Sequence, residues 1–462
     1  MLSFPDDKGS TLFLLANQED KAMGWQKFIL GIPIFIILFG SSMPPISAHA
    51  GFKEALWIMN PSGEIESTPG VFVDDLIKKV MITQSLPGPA LAGQFPHQRI
   101  EIIPAENPLE EINSLFYKRG WTDGLPIIPP TIGRVKEMLK YTDRFPNEVV
   151  GIVEPMKGKA TVEKIAVNAV MAGARPEYLP VIIAAVEAIA DPDFDLYGVQ
   201  TTDESVTPLL IINGPVIKDL NINYGFGALG PGWQSQPNAT IGRAVRLVIN
   251  NIGGAWPATI SLSGIGQAGK YTLCLAENEE ANPWKPLHVE LGYDPKSSTV
   301  TALRAESAYN VFGDNLVEIV SVMGTLASRM SAQRGTGCVT VLLGPYTAKA
   351  LAAKGWTKDD VKQYLWEHGR IPLPTWKQQT ITRPDIPTWA KEFAKKGSIP
   401  VVAKSSDIIL FVAGSGLPIS QHVYFPTWVQ NVGPGRVTKE IKLPMNWKKS
   451  LGETLSKGDG GA

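Results

Sequence analysis

Three short, uninterrupted apolar runs set the tightest limit on what this chain can fold into: Thr207–Asn213 (TPLLIIN), Val339–Leu343 (VTVLL) and Ile408–Val412 (IILFV). Each is too short for a globular helix and lacks the polar alternation of a half-exposed strand. Such runs belong to strands covered on both faces, as in layered α/β proteins. Amphipathic segments separate them, so the expected class is α/β, a mostly parallel or mixed sheet flanked by helices.

Helical patterns lie at Asn107–Arg119, Thr131–Tyr141, Thr161–Ala172, Pro176–Ala190 and Thr240–Asn250. Further on they recur at Asn315–Met330, Tyr346–Ala353, Thr357–Glu367 and Pro387–Lys396. Additional strands are predicted at Val149–Val153, Thr259–Ser263, Tyr271–Ala276 and Ser298–Arg304. A boundary near residue 295 divides the chain into two α/β lobes, 106–295 and 296–447. An extended, Pro- and Gly-rich arm (51–105) precedes them and a Lys-, Gly- and Ser-rich disordered tail (448–462) follows. No repeat of solenoid period is visible.

The amino terminus reads as a targeting signal. Phe28–Gly40 (FILGIPIFIILFG) is uncharged and apolar, follows Lys27, and leads to Ala48-His49-Ala50, an A-x-A cleavage pattern. A membrane span needs roughly twenty apolar residues, which this run does not reach. An exported, periplasmic or secreted protein follows, with an uncleaved membrane tether through residues 28–44 as the alternative. A net charge of −1 and scattered Lys and Arg argue against nucleic-acid binding.

With only two cysteines, five histidines and 19% charged residues in the chain, one stretch is unusually rich in chemistry. Lys270–Glu290 (KYTLCLAENEEANPWKPLHVE) holds Cys274, Glu277, Asn278, Glu279, Glu280, His288 and Glu290. Cys274, Glu277, Glu279 and His288 are the candidate catalytic groups, for thiol or acid/base work. Cys274 is either a nucleophile or a buried hydrophobe. Three clustered carboxylates cannot all be buried without partners, so they either face water or include a tuned acid or base. If the segment is a strand, His288 and Glu290 share a face. No metal spacing such as HExxH or CxxC is present, and no metal is expected. A Cys274–Cys338 disulfide requires the two strands to be neighbours; otherwise both are buried thiols.

Gly225–Gly230 spells G-x-G-x-x-G, but no helix opens directly after it and no acidic ribose partner follows, which excludes a dinucleotide loop. Asn238 or Thr240 is placed to cap the next helix, with Arg243 in its first turn, so this start is either an anion site or a capped helix with a structural ion pair. Asp123, in the stiff loop GWTDGLP, either pins a turn or contacts substrate, and Asn278 joins the substrate-binding candidates. Ser415 precedes His422 by seven positions, but G-x-S-x-G is absent.

Four motifs together (GWTDGLPIIPPT, TVEKIAVNAVMAGARPEYLPVIIAAVEAI, NATIGRAVRLVINNIGGA and KYTLCLAENEEANPWKPLHVE) resemble an uncharacterised bacterial family over roughly residues 106–440. Members of that family are similar to the large partners or fusion partners of small UGSC/CGSC (seleno)proteins, which are suspected thiol-redox proteins. The resemblance implies a UGSC/CGSC-type partner but no settled activity, cofactor or catalytic residue. This chain has no CGSC sequence of its own, and its leader departs from the group. The expectation is an extracytoplasmic enzyme acting on a small polar, anionic substrate by acid/base or thiol chemistry. The alternatives are a non-catalytic binding or assembly protein and a membrane-tethered accessory subunit of a thiol-redox system.

Overall fold

The computed structural model describes residues 54–59, 100–105 and 107–458, apart from 336, 380–384 and 429–432. The expected leader and the alternative tether at 28–44 lie outside the described residues, as does most of the expected 51–105 arm. Within that arm β1 (Glu54–Met59) and β2 (Ile100–Ala105) form an antiparallel pair. Among the described residues no helix is long and apolar enough to cross a membrane.

The fold is α/β and its sheets are mixed. After the hairpin β3 (Val149–Val153) and β4 (Gly158–Thr161) come β5 (Thr207–Asn213), β6 (Cys274–Ala276), β7 (Thr299–Ala305) and β8 (Tyr309–Phe312). The chain continues through β9 (Val339–Leu343), the short pair β10 (Arg370–Pro372) and β11 (Ser398–Pro400), then β12 (Ile408–Val412), β13 (Gln421–Phe425) and β14 (Arg436–Glu440). One four-stranded sheet has the order β14-β7-β5-β6 and the other β12-β9-β13-β8.

Side-chain alternation along the apolar strands explains how these sheets are layered. Leu209 and Ile211 of β5, Leu275 of β6 and Leu303 of β7 meet Leu342 of β9, Ile409 and Phe411 of β12, and Phe425 of β13 in one apolar cluster between the sheets. The alternate residues, Leu210 and Ile212, turn outward onto helices Val162–Met171, Leu179–Ala190 and Gln236–Asn251. On the far side Val339, Val341, Leu343, Leu410 and Val412 turn onto helices Val317–Met323, Pro345–Ala353 and Lys358–His368. The result is four layers, helices–sheet–sheet–helices, and it explains why β5, β9 and β12 carry no polar face.

The two sheets repeat one pattern. In the first, β5 is parallel to β6 and antiparallel to β7, which pairs antiparallel with β14. In the second, β9 is parallel to β12 and antiparallel to β13, which pairs antiparallel with β8. The edge strands are exchanged: β8 follows β7 in the chain but completes the second sheet, and β14 follows β13 but completes the first. A cut at residue 295 therefore does not yield two lobes, because it splits the first sheet, leaving β5 and β6 on one side and β7 and β14 on the other.

Several expected elements differ. Thr259–Ser263 is a tight turn rather than a strand, because the Trp256 carbonyl collects the N–H groups of Thr259, Ile260 and Ser261. The helix expected over Asn315–Met330 breaks at Gly324, where a Cβ would lie 2.8 Å from the Arg370 carbonyl oxygen. The tail begins as a helix, Trp447–Gly458, instead of disordered chain. Trp447 anchors it, stacked edge-on against Tyr141 and donating from Nε1 to Asp219 at 2.8 Å.

Candidate functional site

In open α/β sheets the C-terminal ends of parallel strands gather the polar groups. β5 and β6 do so here. Asn213 ends β5 and Glu277 directly follows β6. The Asn213 amide donates to Glu277 Oε2 at 2.6 Å and to Glu279 Oε1 at 2.9 Å. Glu279 also accepts from the Gly214 N–H at 2.7 Å. Gly214 has φ +88°, and a Cβ there would sit 2.2 Å from the Ser297 carbonyl oxygen, so only glycine lets this turn bring its N–H to the carboxylate.

Glu277 is fully buried and surrounded by donors. Besides Asn213 it accepts from Leu287 N–H (2.7 Å), Asn282 Nδ2 (2.8 Å) and, at 3.4 Å, Val412 N–H of the other sheet. Burial pushes its carboxyl above the ordinary value, while Lys358 and the hydrogen bonds from Leu287 and Asn213 oppose the rise. Glu277 thus ties the loop after β6 to both sheets. Glu279 is different: its side chain is 25% exposed.

His288 lies behind Glu279. Its Nδ1 is 3.5 Å from Glu279 Oε1, and neither ring nitrogen has a hydrogen-bond partner although the residue is fully buried. Asn213 Oδ1 and Thr299 Oγ1, from residues directly opposite in the β5–β7 register, are also buried without partners. Buried polar atoms left unpaired cost about 1–3 kcal/mol each, so four in one place single this cluster out as the candidate site.

His288 and Glu290 do not share a strand face. They sit in a helical turn, Leu287–Glu290, that Pro286 introduces, and two-residue spacing separates them on it. Glu290 faces away from His288's partner, held by Lys358 Nζ at 2.5 Å and by Lys362. Burial alone would raise the Glu290 carboxyl, but the two lysines outweigh it and hold it below the usual range. Glu280 is exposed and paired with Lys218.

The remaining candidates hold the framework. Cys274 packs against Gly242, and burial pushes its thiol up to about 12. Cys338 is raised to about 11 by burial, and both cysteines are free thiols. A buried, un-ionised thiol is the opposite of an activated nucleophile. Arg243 is not open to an anion: Nε and Nη2 grip the Asp123 carboxylate at 2.8 and 2.9 Å, and Nη2 also donates to the Pro126 carbonyl at 2.9 Å. Asp123 is thereby a structural anchor of the GWTDGLP loop.

Neither Asn238 nor Thr240 caps a helix, because the helix starts earlier, at Gln236 with Pro237 in its first turn. Asn238 instead laces the Gly-rich loop, accepting from Asn223 N–H and donating to the Asn223 and Ala228 carbonyls. Thr240 donates back to the Gln236 carbonyl. Asn278 caps the turn after β6 through Oδ1 to Ala281 N–H, and its own N–H donates to the Val412 carbonyl at 2.7 Å. His422 is fixed to backbone on both nitrogens, at Gly344 and Gly313, so it is no partner for Ser415.

The structure therefore brings Glu277, Glu279 and His288 together and leaves Cys274, Arg243, Asn238 and Thr240 outside the constellation. Asn213, Thr299 and Asn282 complete it. The only hint of Asn213 in the sequence is a polar residue closing an apolar strand just before Gly-Pro. At the equivalent place in the second sheet, after the β9–β12 pair Leu343 and Val412, stand Gly344 and Ala413. The repeat keeps the backbone and not the polar groups. Among the described residues no three His, Cys, Asp or Glu side chains are grouped to hold a metal ion. No family model matches the chain, and no characterised protein matches it significantly.

Proposed function

We propose that the chain is an enzyme performing acid/base chemistry on a small polar substrate at the C-terminal ends of β5 and β6. The observation that carries this reading is the Glu279–His288 pair: a partly exposed carboxylate backed at 3.5 Å by a buried imidazole with both nitrogens uncommitted. Glu279 transfers the proton at the surface, and His288 stands behind it as the buried imidazole of the pair. Asn213 and the Gly214 N–H fix Glu279 Oε1, which aims the other oxygen outward. Thiol chemistry finds no support in the buried Cys274, and Arg243 gives an anionic substrate no handhold at this end. In the same reading the leader-like segment takes the activity outside the cytoplasm, and a UGSC/CGSC-type protein is a candidate partner.

The test is thermal denaturation of the full chain across a panel of small hydroxy-, amino- and keto-compounds, followed by proton NMR in D2O. A compound that stabilises the wild type and exchanges a carbon-bound proton, with both effects lost in Glu279→Gln and the exchange slowed in His288→Gln, supports the reading. Stabilisation and exchange that survive both substitutions overturn it.

A non-catalytic binding or assembly role is the second reading. The observation favouring it is the loop after β5, where Phe226 and Trp233 are 57% and 91% exposed. Large aromatics so placed are typical anchors for a protein partner. A membrane-tethered accessory subunit is the variant of this role in which residues 28–44 stay attached.

A further inference from the structure

The outermost strands of the two four-stranded sheets are not alike at their free edges. β14 carries Arg436, Lys439 and Glu440, and its Thr438 carbonyl accepts from the Tyr293 hydroxyl at 2.8 Å. β6 is covered where the Ala276 N–H donates to the Asn223 carbonyl, and β12 where the Val412 carbonyl accepts from the Asn278 N–H. β8 is different. It reads YNVF, with no charge, proline or bulge, the usual devices that keep an edge from pairing. In the repeated sheet pattern β8 is the counterpart of the charged β14, so the contrast lies in the residues and not in the architecture.

The ladder to β13 fixes which backbone groups point outward. The Gly313 N–H donates to the Ser420 carbonyl at 2.9 Å, so by alternation Val311 and Tyr309 turn inward to His422 and Tyr424. Asn310 and Phe312 therefore direct both N–H and C=O away from the sheet, and no described residue is hydrogen-bonded to these groups. The side chains alternate as well. Val311 is buried against the helices, whereas Phe312, on the opposite face, is 70% exposed. Ile419, next to the Ser420 that holds Gly313, is exposed too.

We propose that β8 is an assembly edge, pairing antiparallel with β8 of a second copy of this chain about a two-fold axis at Val311. In that register Asn310 lies opposite Phe312 of the partner subunit, and Phe312 opposite the partner's Asn310. Every outward N–H and C=O of both strands then finds a partner, in four backbone hydrogen bonds, and the two sheets of four strands join into one. The exposed Phe312 rings flank the axis and supply the apolar contact that the hydrogen bonds alone lack. The charges also fit a second copy. Acidic residues flank the strand at both ends, Glu306 before it and Asp314 after it, yet the two-fold does not oppose them: Asp314 falls against Ala308 of the partner subunit. This surface is separate from the Phe226–Trp233 loop and independent of the Glu279–His288 reading.

Sedimentation of the full chain over a wide concentration range tests the proposal, and a monomer–dimer equilibrium is expected. Phe312→Pro removes an N–H that points out of the sheet, so the β8–β13 bonds survive while half of the seam bonds are lost. Self-association is expected to weaken by about tenfold or more with an unchanged circular-dichroism spectrum. Phe312→Lys changes an exposed side chain without touching the backbone, and is expected to weaken the dimer likewise. Thiol oxidation reads the register. An equimolar mixture of Asn310→Cys and Phe312→Cys should form a disulfide-linked dimer that neither variant forms alone, since directly opposite residues lie about 5.5 Å apart and both native cysteines are buried. A monomeric wild type, a dimer equally tight in both Phe312 variants, or a mixture that cross-links no better than either variant alone overturns the proposal.

Discussion

Arg243 and Asp123, 120 positions apart, meet in a two-pronged ion pair whose carboxylate is only 3% exposed. The arginine comes from helix Gln236–Asn251 and the aspartate from the GWTDGLP loop, so the pair bolts that loop onto the layer covering β5 and β6. Removing one partner leaves the other charge stranded. Arg243→Met and Asp123→Asn are each expected to cost about 2–4 kcal/mol in urea unfolding. The double variant should cost less than the two combined by about 1–3 kcal/mol. A coupling near zero would mean that the loop is held by its backbone contacts alone.

Glu277 accepts from four donors and faces no acceptor, so a carboxylate there is not interchangeable with an amide. Glu277→Gln points an NH2 group at N–H donors and should destabilise by about 2–4 kcal/mol. Glu279→Gln keeps an oxygen for Asn213 and Gly214 and sits partly in water, so about 1 kcal/mol or less is expected. Chemical denaturation of the two variants side by side checks the ranking. If Glu279→Gln proves the costlier, the division between a tying carboxylate and a working one is reversed.

With its thiol pushed up to about 12 by burial, Cys274 stays un-ionised at pH 8. Iodoacetamide should leave it unmodified in the native protein and label it once denaturant opens the core, as followed by peptide mass. Cys338, raised to about 11, should follow the same pattern. Rapid labelling of native Cys274 would restore it as a thiol candidate.

The layered class was legible because β5, β9 and β12 are apolar on both faces, and the four-layer packing is the reason they are. β8, β13 and β14 carry no such signature: β8 and β14 are exchanged edge strands, as in Arg436–Glu440 (RVTKE), and β13 opens with the polar Gln421 and His422. Glu277, Glu279 and His288 stood out by residue type. Their partition into roles depended on Asn213, 64 positions from Glu277, which no local pattern reveals. Nothing in the sequence announces the burial of Arg246, which interrupts an apolar helical stripe, where an arginine is expected to reach water. Instead Gln200 and Thr207 receive it inside.

Glu306 supplies a pH test of the same interior. Burial, and then the neighbouring Glu204, raise its carboxyl from the ordinary 4.5 to about 8, with Arg329 opposing, and its Oε2 is buried without a partner. The folded state therefore holds this proton more tightly than the unfolded chain does. The stability it contributes is complete below the unfolded value near 4.5 and is lost progressively as pH rises through about 8. Unfolding free energy measured from pH 5 to 9 should fall by an amount on the order of 1–3 kcal/mol from this group. Glu306→Gln stays neutral throughout, so its stability curve should be flatter and should cross above the wild type on the alkaline side. Parallel curves for the two proteins would show that Glu306 ionises freely in the folded state and that Arg329 outweighs its burial.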